Sequence, residues 1–195
     1  DAIFIQDIET GRIIDVNQKA CEMYLYNEDE LIRCSFGDIS LGESPYSQED
    51  LIGVINKTSG GEPQLFEWVA KDKAERLFWV EINLKRAVIN GKYRILAIVR
   101  DITDRKRSEE RWEKIHEAFL SFGAEPSENI NRLTALCGEI MEADCALYNK
   151  LDGGILRSCG QWNAPSGFQM SDETPGHVCY DVMKKGSNDM ITIRN

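Results

Sequence analysis

The chain has 195 residues, of which 42% are hydrophobic and 29% charged, a composition that predicts one or two ordinary globular domains. Its net charge of −10 argues against nucleic acid and against an anionic membrane surface as partners, because both require a basic face. No apolar run approaches the ~18 residues of a membrane-spanning helix, so we expect this segment to be cytoplasmic.

Two short strands are predicted at the start of the chain. Residues 2–6 and 12–16 are rich in apolar and β-branched side chains. The segment 9–11 between them ends in a glycine, which can adopt the positive φ of a tight turn. These strands are expected to pair as a hairpin.

Short helices are predicted to follow. Asn17 and Asn27 are good N-cap residues, and Glu30 stands three positions after Asn27, as in a capping box. Ser47 and Asp50 repeat that spacing before a further helical segment. Helix starts are therefore expected at all three cap residues.

The sequence then changes from helical to strand-like periodicity. Residues 65–71, 77–88 and 93–102 are rich in β-branched and aromatic side chains. The segment 72–75 joins the first two, and the Asn-Gly pair at 90–91 is a strong signal for a two-residue hairpin. With the first two strands, this meander predicts an α+β fold: a five-stranded antiparallel sheet with helices on one face.

Residues 101–104 mark the change back to helical periodicity, and a charge-rich helix is predicted to continue to about residue 122. Four apolar residues on it are spaced three or four apart, as in a seam between paired helices: Trp112, Ile115, Phe119 and Phe122. This seam predicts a parallel homodimer. Two heptads are fewer than a coiled coil normally has, so a solvated connector between domains is the alternative.

The last third of the chain predicts a second α+β unit. Ser127, after a proline, is placed as the N-cap of an amphipathic helix. The apolar stripe of that helix comprises Ile130, Leu133, Leu136, Cys137, Ile140 and Met141. Residues 145–151 and 155–162 predict a hairpin, and 163–174 a polar loop. A short helix and a strand at 190–194 complete the prediction.

Several short motifs occur through the first half of the chain, in the order in which one known domain family carries them. They are Asp-Val-Asn at 15–17, Asp-Glu-Leu-Ile at 29–32, Ser-Phe-Gly-Asp-Ile at 35–39, Phe-Glu-Trp at 66–68, Trp-Val-Glu at 79–81, Asn-Gly at 90–91 and Asp-Ile-Thr-Asp-Arg-Lys at 101–106. With these motifs, residues 1–110 resemble a PAS domain. The family often has Gly-Tyr and Asp-Gly where this chain has Leu25-Tyr26 and Asp72-Lys73. The resemblance implies a PAS sensor domain over residues 1–103 and a signalling helix over 104–122.

The second half carries a shorter set of motifs. An N-terminal helix is followed by Asp-Cys-Ala-Leu-Tyr at 144–148, by Trp162 and by the segment 175–182. These features look like the first half of a GAF domain, which places the N-terminal part of such a domain at residues 123–195. We therefore expect the chain to be a piece of a longer protein.

A PAS domain, a helix and a GAF domain in this order are similar to the input region of sensor histidine kinases in two-component systems. The resemblance implies a sensory module that binds a small ligand or senses redox state and relays that state to an output domain or response regulator. Two alternatives stay open: a ligand-free dimerisation and relay module, and the regulatory region of a cyclase or phosphodiesterase. The segment has no catalytic motif, so we do not expect it to be an enzyme.

PAS folds hold ligands between the sheet and the covering helices. The aromatic and sulfur side chains able to line that space are the candidate ligand-binding residues: Met23, Phe36, Phe66, Trp68 and Trp79. Plain core packing is the competing interpretation, because such residues dominate protein cores.

The cofactor is left open by the sequence. Neither Cys21 nor Cys34 lies in the Asn-Cys-Arg-Phe signature of photoactive flavin domains, so we expect no flavin. His177 and Cys179 are residue types that ligate haem or anchor bilin. Residues two apart on a helix do not share a face, however, and buried helix residues are the preferred interpretation. No Cys-x-x-Cys pair is present, so we expect no metal site.

The resemblance also implies a relay at the start of the signalling helix, formed by Asp101, Thr103 and Arg105. Asp101 is expected to pair with Arg105 or Lys106, and Thr103 to cap the helix N-terminus. A surface ion pair contributes only ~0–1 kcal/mol. Its role would therefore be to set the angle between strand and helix.

Overall fold

The computed structural model describes residues 1–168 and 171–173. The chain divides into two compact units, residues 1–108 and residues 109–195. Within the described part, no helix is both long and apolar enough to span a bilayer.

The first unit is built on one antiparallel sheet of five strands. The strands are β1 (Ala2–Asp7), β2 (Ile13–Val16), β3 (Gln64–Lys71), β4 (Leu77–Ile89) and β5 (Lys92–Asp101). Their order across the sheet is β2-β1-β5-β4-β3, so the first strand lies beside the last. This arrangement confirms the predicted α+β fold.

Three helices, α1 (Gln18–Tyr24), α2 (Glu28–Arg33) and α3 (Gln48–Ser59), complete the first unit. Each begins at a predicted cap: the Asn17 side chain accepts from the Ala20 N–H, and Asn27 and Ser47 both form capping boxes. Asn17 Oδ1 also accepts from the Ile3 N–H at 2.9 Å, which ties the start of α1 to β1. Local capping thus places the first helix against the sheet.

The core lies between these helices and one face of the sheet. Alternate residues of β4 and β5 point into it, as the two-residue period of a strand requires. The inward residues of the two strands are Phe78, Val80, Ile82, Leu84, Ile95, Ala97 and Val99. Ala20, Tyr24, Leu31 and Leu51 cover them from the helices.

The turn between β3 and β4 is organised by one buried carboxylate. The Asp72 side chain is 0% exposed and accepts hydrogen bonds from the Ala74 N–H, the Arg76 N–H and Arg76 Nε at 2.9–3.0 Å. Burial raises the pKa of Asp72, but these hydrogen bonds outweigh it and hold the pKa below its usual value. The segment predicted only as a connection is therefore a fixed turn.

Helix α4 (Thr103–Leu120) follows β5 and has no buried residue. It begins one residue before the predicted start and ends before Phe122. The remaining elements are α5 (Pro126–Ile140), β6 (Ala146–Asp152), β7 (Ile155–Trp162) and β8 (Ser171–Glu173). The three strands form one antiparallel sheet in the order β6-β7-β8.

Two details of the second unit differ from the predictions made from the sequence. Helix α5 begins at Pro126, with Glu125 in the N-cap position, because the fixed φ of proline suits the first turn. Ser127 is therefore inside the helix and is not its cap. The segment 163–174 contains the strand β8 and is not entirely loop. The predicted helix after residue 175, the strand at 190–194, His177 and Cys179 lie outside the described residues.

The contact between α5 and β7 depends on two glycines. A Cβ on Gly138 would stand 2.3 Å from the Trp162 ring, and a Cβ on Gly160 would stand 2.3 Å from Thr134 Oγ1. The fully buried residues of α5 are accordingly Thr134 and Gly138. The predicted stripe is only partly covered, since Met141 is 65% exposed and Cys137 is also exposed.

Replacing Asp72 by alanine should destabilise the first unit by about 1–3 kcal/mol, because two backbone N–H groups lose a buried acceptor. Urea unfolding monitored by tryptophan fluorescence measures the change. Glu75→Gln is the matched control, since Glu75 lies in the same turn and its side chain is 77% exposed. Equal stabilities of the two variants would contradict this role for Asp72.

Stability should depend on Asp7 at acidic pH. Hydrogen bonds from the Thr10 backbone and hydroxyl, with the Arg94 side chain, lower the pKa of Asp7 to about 2. The carboxylate therefore stabilises the fold above its unfolded pKa of ~3.9 and loses that effect as pH falls through about 2.

We expect Asp7→Asn to be less stable than the parent chain at pH 7, with the difference shrinking between pH 4 and pH 2. Chemical unfolding at a series of pH values measures the difference. Asp15→Asn, an exposed change on neighbouring β2, is the control. A difference that stays constant down to pH 2 would contradict the assignment.

Candidate functional site

A small cavity of about 30 Å³ lies in the core of the first unit. Its walls come from the inner face of β1, β3, β4 and β5, from α1 and α3, and from the segment at residues 36–40. The polar or aromatic residues in the wall are Phe4, Gln6, Tyr24, Phe36, Ser40 and Trp68. The other lining residues are aliphatic, so the cavity is largely apolar.

Gln6 is the unusual member of this wall. It follows Ala2 and Phe4 on the inward side of β1 and is 1% exposed. Its Oε1 atom is buried, and none of the described residues donates a hydrogen bond to it. An unsatisfied buried acceptor costs free energy, so this atom is a natural place for a donor to bind.

Ser40 and Trp68 form a second polar feature. Trp68 Nε1 donates to Ser40 Oγ at 2.9 Å, and both residues are buried. Ser40 also bridges to Ala70 on β3, which is an edge strand of the sheet. The indole is therefore held in the cavity wall by a hydrogen bond and by the pairing of the neighbouring segment.

Tyr24 supplies a neutral phenol to the same wall. Burial, and to a smaller extent the charge of Asp101, raises the pKa of Tyr24 well above its usual value. Its ring packs edge-on against Phe4 at 5.5 Å and Phe78 at 5.3 Å. The hydroxyl consequently stays protonated at any physiological pH.

Two of the five predicted ligand-binding residues, Phe36 and Trp68, line the cavity. Phe66 packs against the Trp68 ring at 5.9 Å, and Met23 lies against the core without lining the cavity. Trp79 also lies outside the wall. Gln6, Tyr24 and Ser40 line the cavity but were not among the predicted residues, although the alternation of β1 already places Gln6 on the inward face.

Trp79 lies on the opposite face of the sheet from Trp68, because it pairs with Val69, the next residue along β3. Tyr46 contacts both indoles, with ring centroids 5.4 Å from Trp68 and 5.7 Å from Trp79. Tyr46 therefore connects the cavity side of the sheet with the other face at the β3 edge.

The backbone of Trp79 in turn holds the start of α4. Its N–H donates to Thr103 Oγ1 at 3.1 Å, and its carbonyl accepts from the Ile102 N–H at 2.9 Å. Asp101 Oδ1 accepts from the Thr103 N–H at 2.9 Å. Asp101 and Thr103 thus both contribute to the strand-to-helix junction.

Arg105 and Lys106 contact the sheet, not Asp101. Arg105 Nη2 lies 3.0 Å from Glu67 Oε1 and 3.7 Å from Glu81 Oε2, and Lys106 pairs with Glu67. The expected pairing of Asp101 with these cations is therefore corrected. The hydrogen bond from Lys106 is the main reason that the pKa of Glu67 lies below its usual value.

The four predicted seam residues, at the end of α4 and just after it, differ in how exposed they are to solvent. Trp112 is 70% exposed and Phe119 is 57% exposed. Ile115 is half-buried, as is Phe122, which lies after the end of the helix. The Phe119 and Phe122 rings contact each other at a centroid distance of 5.2 Å. Homodimerisation through these residues stays a prediction.

Several solved structures contain chains that are similar to this one. The PAS domain of an HTR-like protein from Haloarcula marismortui is 31% identical, over 52% of this chain and 86% of that chain, with a TM-score of 0.46. A domain of the sensory box sensor histidine kinase/response regulator from Geobacter sulfurreducens is 30% identical, over 52% and 82%, with a TM-score of 0.43.

An RNA-binding light-oxygen-voltage receptor is 14% identical, over 60% of this chain and 34% of that chain, with a TM-score of 0.51, a likeness of fold alone. No curated protein matches the sequence. The family model for the PAS domain matches residues 1–104, which is more than half of the chain. Together with the five-stranded antiparallel sheet, this match shows that the chain belongs to the PAS domain family.

Proposed function

We propose that this chain is the sensory input region of a sensor histidine kinase, in which the state of the core cavity is relayed to α4. The observation that carries the proposal is the continuous set of contacts from the cavity wall to the first residues of α4. It passes from Trp68 through Tyr46 to Trp79 and Thr103. The PAS family membership supports the sensory role.

The first step of the relay is mechanical. A ligand that pushes on Trp68 must either break its hydrogen bond to Ser40 or move both groups together. Because the core is densely packed, the displacement passes to Tyr46, whose ring meets the Trp68 ring edge-on. Tyr46 then transmits it to Trp79 on the opposite face.

The second step concerns the direction of α4. Trp79 bonds to Ile102 and Thr103 through its backbone, and its ring lies 5.1 Å from Lys106 Nζ. A shift of Trp79 therefore acts on the first turn of the helix from two sides. The ion pairs of Arg105 and Lys106 with Glu67 resist that shift by at most ~1 kcal/mol each.

The proposed output lies beyond α4. We expect the exposed aromatic residues of the seam, Trp112 and Phe119, to pair with a second copy of α4 in a parallel homodimer. The unit after α4 is proposed to be the N-terminal part of a GAF domain, followed in the whole protein by a kinase domain that signals to a response regulator. A cytoplasmic location is part of this proposal.

A ligand-free relay module is the second candidate. The cavity volume of about 30 Å³ favours it, because sites for drug-sized ligands usually enclose about 300–1,000 Å³. In that case the same contacts would transmit a change made elsewhere on the first unit. The regulatory region of a cyclase or phosphodiesterase differs from the kinase proposal only in the output domain.

Replacing Tyr46 by alanine should loosen the first turn of α4. We expect backbone amides at residues 106–109 to exchange hydrogen roughly threefold to tenfold faster, the equivalent of one lost aromatic pair. Tyr46→Phe keeps the ring and should exchange like the parent chain. Tyr93→Ala, an exposed tyrosine on β5, is the matched control. Unchanged exchange in Tyr46→Ala would disprove the route through Tyr46.

Replacing Trp112 by lysine should convert a dimer into a monomer, because it places a charge in the proposed seam. Native mass spectrometry of the chain should give twice 22.2 kDa for the parent and 22.2 kDa for the variant. Glu110→Gln changes the net charge equally on the other side of α4 and should remain dimeric. A monomeric parent chain would refute the homodimer.

A further inference from the structure

The chemistry of the cavity wall restricts what can bind there. Among the lining residues there is no Asp, Glu, Lys, Arg or His. Transferring an unpaired ion into such a site costs far more than transferring a neutral molecule. The wall therefore selects against carboxylates, phosphates and ammonium groups.

The size of the cavity is a second restriction. A water molecule needs ~10–15 Å³ of space measured in this way, so a cavity of about 30 Å³ holds two or three water-sized groups. Space of this size accepts a molecule of only about two to four non-hydrogen atoms without displacing the wall. Flavin and haem are far larger and do not fit among these residues.

The polar groups of the wall add a third restriction. Gln6 Oε1 is an acceptor that none of the described residues satisfies, whereas Ser40 Oγ already accepts from Trp68 Nε1. A molecule that donates one hydrogen bond to Gln6 Oε1 would remove the cost of leaving that atom unpaired. A molecule of the same size without a donor would leave that cost in place.

We propose that the cavity binds a small uncharged molecule that donates a hydrogen bond to Gln6 Oε1 and places an apolar end against the aliphatic side chains of β4 and β5. This proposal rests on the proposed function, since it assigns a ligand class to the sensing cavity. Short-chain alcohols and primary amides belong to this class, and their carboxylate analogues do not.

Two isomers separate hydrogen bonding from size. Ethanol and dimethyl ether have the same atoms, but only ethanol has a donor. Each is titrated into the 195-residue chain while methyl resonances of Ala97 and Val99 and the side-chain amide of Gln6 are followed by NMR. We expect saturable shifts with ethanol and at least about fivefold weaker binding of dimethyl ether. Acetamide and acetate test the charge restriction in the same way, and acetate should not bind.

Gln6→Leu removes the acceptor and keeps a similar volume. In this variant ethanol and dimethyl ether should bind equally, and the thermal midpoint should not fall, because an unsatisfied polar atom is lost. Gln18→Leu, an exposed glutamine on α1, should retain the preference for ethanol.

Three outcomes would overturn the proposal: equal binding of the two isomers to the parent chain, an ethanol preference that survives in Gln6→Leu, or shifts that do not saturate with any probe. The last would mean that the cavity holds water only. None of these results bears on the hydrogen exchange of α4 in the Tyr46 variants. Failure of the ligand class can therefore be distinguished from failure of the relay.

Discussion

Both backbone hydrogen-bonding groups of Trp79 are used by the segment that begins α4. The N–H donates to Thr103 Oγ1 and the carbonyl accepts from Ile102, so the β4–β5 ladder continues into the first residues of the helix. The direction in which α4 leaves the sheet is thereby coupled to one residue of β4. Tyr46 packs on the same residue, which is why the proposed relay runs through Trp79.

The two faces of the sheet of the first unit have different chemistry. The inner face is apolar except for a few groups, among which Gln6 has an unsatisfied acceptor. On the outer face, Glu67 and Glu81 stand directly opposite each other, an arrangement that is unfavourable for two like charges. Arg105 and Lys106 from α4 offset that repulsion. The start of the helix is therefore held by hydrogen bonds and by the charges it neutralises.

Much of the first unit could be predicted from the sequence because its elements are specified by short-range chemistry. The caps at Asn27 and Ser47 bind groups three residues away, and Asn90 and Gly91 adopt φ values of 52° and 74°, as a two-residue hairpin requires. The alternation of β4 and β5 is equally local, but it leaves open which of the two faces is buried, as the outward position of Trp79 shows. Where a local signal was misread, as with Ser127, a neighbouring proline was the stronger determinant of the helix start.

The sequence by itself therefore determined the elements of the first unit, their order and the family. Only the tertiary structure decided which aromatic residues form the cavity, since Phe36 and Trp68 line it and Trp79 does not. It also decided that Arg105 contacts Glu67, which lies 38 residues earlier, in place of nearby Asp101. The physical reason is that caps, turns and alternation act over a few residues. A cavity wall or an ion pair depends on the register between strands that are distant in the chain.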